Sequence, residues 1–488
     1  TDTYNTAVGY KAGVEITTAI ENTLIGGKAG DAITTGNSNV AVGFLSLSAN
    51  TTGASNVGIG VIALDDNTTG SDNVGMGRGA LGANTTASNN TAVGGLALSS
   101  NTTGSGNVAF GSEALSTNVL GSNSTAIGRE ALKTQNPDSA ADTDNTAVGY
   151  RAGLSVTTGV KNTLIGSLAG DAITTGASNV AVGYLSLSDN TTGNDNTAVG
   201  ELALSNNTTA IRNTALGSSA LFTNTTGADN TAIGTGSLYA NTTASFNTGV
   251  GQNSLENNTT GASNTAVGRD SLKANTTGAG NVSLGQASMV TNTTGSYNIA
   301  IGPSALEANT TASDNVAIGR VAMVANTTGT ANVAVGALAL DANTTADNNT
   351  AVGYTSLTTN TTGHSNVAVG YQSLRDNTTA INNTAVGFNS LALNTTGASN
   401  VAVGTSSLLL NTTGPNNVAV GTSALAANTT AANNTAVGYA SLSANTTGTE
   451  NTSVGDASSD ANTTGSYNTA LGRNSLGGNT TASHNTAI

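Results

Sequence analysis

The chain has 488 residues, of which 37% are hydrophobic, 3% aromatic and 8% charged, with 62 Gly, 3 Pro and no Cys. Thirteen basic against 27 acidic residues leave a net charge of -14, which argues against a basic face for nucleic acid or anionic membrane. The missing Cys excludes a disulfide framework and a thiolate metal site, and no apolar run approaches the roughly twenty residues of a membrane span.

A repeat of seventeen residues organises the chain from its start. Counting the Asn of N-x-x-x-G as column zero, repeats begin at 5, 22, 39, 56, 73, 90, 107 and 124, then at 145 and every seventeen residues to 485. Of these 29 starts 28 are Asn, and Ser124 is the exception. Column one is always Thr, Val or Ile, column three is always apolar, and column four is Gly from Gly9 to Gly472. Column eight is usually Leu, and column eleven opens an Asn-Thr-Thr string in 22 repeats.

These columns read as a short strand, with columns one and three on one face and the small column two on the other. The Gly that follows predicts a bend or a positive φ that a Cβ would obstruct. The Ser/Ala-Leu pair predicts a second short strand whose Leu points back toward the Val. The A-N-T-T-G-x-x-N segment predicts a turn. The recurrent Gly rules out a helix. The expected fold is therefore all-β: a parallel β-solenoid, or β-roll, with one coil per repeat.

Asn at columns zero and eleven should then form amide ladders, and Thr should form hydroxyl ladders, beside Val and Leu rows filling the interior. At about 4.8 Å per coil, 28 steps predict a rod on the order of 130 Å long. One coil cannot bury its own apolar face. The small Ala column, read as facing away from the Val row, suggests close approach of further chains and a homo-oligomer, most simply a trimer.

The N-[TV]-A-V-G core resembles the N-S-V-A-I-G head repeat of trimeric autotransporter adhesins. The fuller string, such as 349–365, NTAVGYTSLTTNTTGHS, is similar to seventeen-residue repeats of phage tail-fibre and bacterial surface-fibre proteins. The resemblance implies a left-handed β-roll in a homotrimeric bundle. The coil is about three residues longer than that of the adhesin head.

One break interrupts the array: the repeat from Ser124 to Asn145 contains four extra residues around Gln135-Asn136-Pro137-Asp138, read as a loop. After it, the segment 5–36 returns as 145–176. Two modules are expected, 1–144 with eight coils and 145–488 with twenty coils and part of another. Without evident caps, the ends are expected to continue into further chain or to stack end to end as a filament.

Candidate sites are few. Gly77, Gly79 and Gly82 match G-x-G-x-x-G, but a dinucleotide loop needs a following helix, and the next coil follows instead. Asp31 and Asp171 each stand alone in their coil, short of the six to eight oxygens that Ca²⁺ needs. His364 and His484 fall in the loop columns. Catalytic, cofactor and metal sites are expected to be absent. The Asn-Thr-Thr strings are N-glycosylation sequons placed in a turn expected to be exposed, with Asn50, Asn67, Asn84, Asn101, Asn190, Asn207, Asn224, Asn241, Asn258 and Asn275 as acceptors in a secreted chain. Tyr10, Tyr150, Tyr184, Tyr354, Tyr371 and Tyr439 share column five, where they would cover a groove between chains or bind sugars.

The expected function is a non-enzymatic extracellular or cell-surface fibre, an adhesin-like shaft that could meet a surface or glycan receptor. The alternatives are a virion tail-fibre shaft and, less favoured because the Thr pair lies in a turn, an ice-binding solenoid.

Overall fold

A computed structural model describes residues 3–488. They fall into two compact units, Thr1–Phe246 and Asn247–Ile488. Each unit is a parallel β-solenoid with one coil per repeat, and the described residues contain no helix. Strands run from Thr6–Val8 to Thr231–Ile233 in the first unit and from Thr248–Val250 to Thr486–Ala487 in the second. They occupy columns one to three and pair in register with the next coil, as Val40 with Val57, Ala41 with Gly58 and Val42 with Ile59. The four-residue insert leaves this ladder intact, because Thr125 still pairs with Thr146. The sequence-module boundary at 144/145 therefore falls within a continuous sheet. The extra chain is held by a second small pairing, Ala141–Asp142 on Gly121–Ser122.

The expected second strand is not formed. Columns six and eight lie in the left-handed region, at φ 57° for Leu45 and 54° for Leu47. The amides there still point along the solenoid. Leu45 N–H donates to the Gly27 carbonyl of the preceding coil at 3.1 Å, while Leu47 N–H donates to Ala63 of the following coil at 3.0 Å. Left-handed conformations of branched residues persist only where their surroundings over-determine them. Here the coils on either side do so. Column four does adopt the positive φ read from the sequence: Gly183 has φ 139°, and a Cβ there would stand 2.5 Å from the Gly200 carbonyl oxygen.

The two faces of the strand are the reverse of the expectation. Column two points inward, with Ala41, Ala147 and Ala351 fully buried. Columns one and three point outward, leaving Val8 58% and Phe110 56% exposed. The physical reason is the thinness of the coil. A Cβ on Gly58 would meet Ser46 Oγ at 2.6 Å and Leu47 Cγ at 3.2 Å. The column-eight Leu of the preceding coil therefore fills the space opposite column two, and a small residue must face it.

The exceptions support this account. Leu24 and Leu164 stand in column two and are fully buried. Leu24 lies against Gly13 and Gly30, where the column-eight Leu is missing: added Cβ atoms would come within 2.7 and 2.9 Å of its methyls. Leu164 fills the same gap at Gly153 and Gly170, at 2.7 and 2.8 Å. In these coils column eleven is also apolar, with Ile33, Val156 and Ile173 fully buried. The duplicated segment thus carries a hydrocarbon interior, whereas most coils carry a Leu and two Asn.

Gly183→Ala should lower unfolding free energy by roughly 1–3 kcal/mol, the cost of a strained backbone position. Gly95→Ala, with no atom within 4 Å of the added Cβ, should leave it unchanged; denaturant titration of both variants checks this. Leu164→Ala should cost about 2–5 kcal/mol, as expected when a cavity opens in a packed core, read by the same titration.

Candidate interaction surface

The polar interior is built on one carbonyl per coil. Asn56 Nδ2 and Asn67 Nδ2, from columns zero and eleven, donate to the Gly70 carbonyl at 2.9 and 3.0 Å. Each amide also extends a ladder, since Asn67 Nδ2 donates to Asn50 Oδ1 at 2.9 Å and Asn56 N–H to Asn39 Oδ1 at 2.9 Å. The expected amide ladders are present in both units. The column-twelve Thr row differs in its acceptor: Thr51 Oγ1 donates to the carbonyl of Thr68, not to its hydroxyl.

This geometry corrects the expected exposure of the sequons. Asn50, Asn67, Asn84, Asn101, Asn190, Asn207, Asn224, Asn241, Asn258 and Asn275 are all fully buried. Their Nδ2, the atom a glycan would occupy, faces the interior, and Asn190 Nδ2, for one, is committed to the Gly193 carbonyl at 3.0 Å. A turn-forming sequence does not imply an outward Asn when the turn closes over a ladder.

The coil bearing the insert splices the two ladders. Ser124 replaces the column-zero Asn, and Gln135 stands where column eleven would be. The shorter side chain makes room for the longer one. Gln135 Nε2 donates to Ser124 Oγ and Thr143 Oγ1, both at 3.1 Å, and its Oε1 accepts Asn145 Nδ2 at 2.9 Å. The exceptional Ser124 and its Gln eleven residues later signal this exchange in the sequence.

The other singled-out residues stay apart. Gly77, Gly79 and Gly82 lie between the strands Val74–Met76 and Thr91–Val93, in turn structure with no helix to follow. Asp31 and Asp171 sit in different coils, and burial pushes the Asp171 carboxyl above the usual range, with Asp189 adding to the effect. His364 borders a shallow surface depression beside Asp347. His484 stacks on Tyr467 at 4.9 Å, a contact the loop reading missed, although both residues stand in column sixteen.

The chemistry therefore lies on the outer face. Columns one and three carry no charged residue in any coil. They face outward, with column three apolar throughout and column one Thr, Val or Ile, leaving Ile25 41%, Ile165 39% and Leu216 45% exposed. Column five borders this face. Tyr354, Tyr371 and Phe388 stack along the coils at 5.8 and 5.2 Å, with interplanar angles of 17° and 8°. Their faces are turned to one another and their edges to solvent, which does not suit stacking of a sugar. The guanidinium groups of Arg129 and Arg151 both lie over the Tyr150 ring, at 4.8 and 5.1 Å from its centre. Tyr10, Tyr184 and Tyr439 are exposed without an aromatic neighbour in their column.

The buried sequons predict that folded chain exported through a glycosylating secretory pathway carries no sugar at Asn50 or its equivalents. Peptide mapping by mass spectrometry should find Asn50 and its equivalents unmodified. No protein-family model and no curated protein matches the chain, so its role has to be argued from this interior and this face.

Proposed function

We propose that the chain is a non-enzymatic structural element of an extracellular or cell-surface fibre, an adhesin-like shaft that supplies reach and stiffness and in which several copies run side by side. One observation carries this reading: hydrogen bonds along the solenoid recur at nearly every level of the coil. In and beside the strands, Val40 N–H bonds the Asn56 carbonyl at 2.8 Å. Beyond the strand, Ala49 N–H bonds Asp65 at 2.8 Å, Thr51 N–H bonds Thr68 at 2.9 Å and Ser55 N–H bonds Asn37 at 2.9 Å. Two Asn ladders and a Thr ladder add to them. A net value near 1 kcal/mol per bond is modest singly. Repeated in parallel, the bonds make each coil hard to detach from its neighbours, as a load-carrying shaft requires.

The scarcity of cleavable sites supports durability outside a cell. There are 13 Lys and Arg, and those in ordered coils cannot enter a protease without releasing bonds to both neighbours. Trypsin at a concentration that clears unfolded control protein should leave the full-length chain intact for hours. Antibody should label intact producing cells; label confined to permeabilised cells would overturn the surface assignment, and label on virus particles would move the shaft to a virion.

A further inference from the structure

We infer that the two duplicated apolar segments are where the first unit begins to fold, and that they fix which repeats stack there. The inference is independent of the fibre reading. An array of near-identical repeats has a difficulty of its own. An ordinary coil shows its neighbours Leu in column eight, Asn in columns zero and eleven and a small residue in column two. Such an interior accepts the repeat after next as well as the next one, because register is weakly specified wherever the residues that meet are alike. Looping out one ordinary repeat exposes a single Leu and leaves the stack otherwise unchanged.

Four coils break the uniformity, and all lie in the first unit. Gly in column eight and an aliphatic residue in column eleven occur in no other coil: Gly13 with Ile16, Gly30 with Ile33, Gly153 with Val156 and Gly170 with Ile173. These parts interlock from coil to coil. A Cβ on Gly13 would meet Leu24 at 2.7 Å and Ile16 at 2.9 Å, and one on Gly30 would meet Ile33 at 2.7 Å and Leu24 at 2.9 Å. Leu164 spans Gly153 and Gly170 in the same way, and Leu132 of the coil before also reaches Gly153, at 2.9 Å. Here alone a repeat fits only its own neighbour. Leaving out the repeat that starts at 145 would set Leu164 against Leu132, where column two has no space: a Cβ on Gly75 already stands 3.1 Å from Leu64 Cγ. Leaving out the repeat that starts at 162 would expose both Leu164 and Ile173 and empty the space at Gly153. Hydrocarbon contacts are also non-directional, so they gather before amides that need aligned donors and acceptors. The coil from 162 buries two large aliphatic side chains, Leu164 and Ile173, for the same seventeen residues ordered. Further coils then add to a stack whose register is set.

Pulse-labelling hydrogen exchange during refolding of the full chain should show amides of 23–33 and 153–173 protected several-fold sooner than those of 64–101. Protection gained together, or later, overturns the inference. The variant Gly153→Leu/Val156→Asn/Leu164→Ala/Gly170→Leu/Ile173→Asn gives the second segment an ordinary interior, and Leu already occupies the left-handed column eight elsewhere, at φ 53° in Leu187. With its β circular-dichroism spectrum retained, this variant should lose the early protection of 153–173; a retained lead overturns the nucleus. Because the chain has no Cys, disulfide formation reads the register. Lys161→Cys/Ser178→Cys spans one coil, whereas Lys161→Cys/Asp195→Cys spans two, about 9.6 Å and beyond disulfide reach. After refolding, only the first pair should close in the parent, and a detectable fraction of the second should close in the five-residue variant. A second pair that closes in the parent, or never closes in the variant, overturns the register role. Should the variant lose its β spectrum, Leu164→Val and Leu204→Val take its place: the first should slow refolding several-fold and the second chiefly speed unfolding, and the reverse overturns the inference.

Discussion

Everything in this fold depends on the stacking distance between one coil and the next. At about 4.8 Å, every residue has its counterpart directly above and below, so any chemistry that works once must work against a copy of itself. Asn satisfies that condition because its amide donates and accepts at once. Asn39 accepts from Asn56, which accepts from Asn73, without reversing a single side chain. Asp or Lys in the same column would set like charges side by side in the interior.

The column-fourteen carbonyl shows how narrow the tolerance is. It receives both Asn amides of its own coil, and a Cβ added to Gly53 would lie 2.3 Å from the Gly70 carbonyl oxygen. The column is Gly or Ala throughout, yet Ala never occupies two successive coils: Ala210 and Ala244 are separated by Gly227, and Ala346 and Ala380 by Gly363. A methyl in one coil is thus always followed by Gly in the next. The same logic links the hydrocarbon-filled coils, where Leu164 takes the volume given up at Gly153 and Gly170.

A core this thin, with one Leu contributing roughly 1.5–3 kcal/mol per coil, leaves the strand no room for its larger side chains. This outer face follows from the same constraint as the buried amides. The branched residues of the strand, favoured by the pleated sheet, find no room inward where column eight is Leu, so they turn outward.

The sequence alone determined the period, the all-β solenoid, the Gly with positive φ and the coil-to-coil Asn ladders, because each depends only on a residue meeting its own repeat. It gave the stretch around Gln135 only as a loop, whereas the folded coil buries Gln135 against Ser124. The tertiary structure decided which strand face is inside, that columns six and eight are left-handed, and that the sequon Asn are buried. Alternation along a strand states that two faces differ but not which is enclosed. That depends on what lies across the coil, and here it is the Leu of column eight, seen against column two only when the chain has closed on itself. Leu24 opposite Gly13 and Gly30 recorded this contact in the sequence, but over distances that only the folded coil brings together.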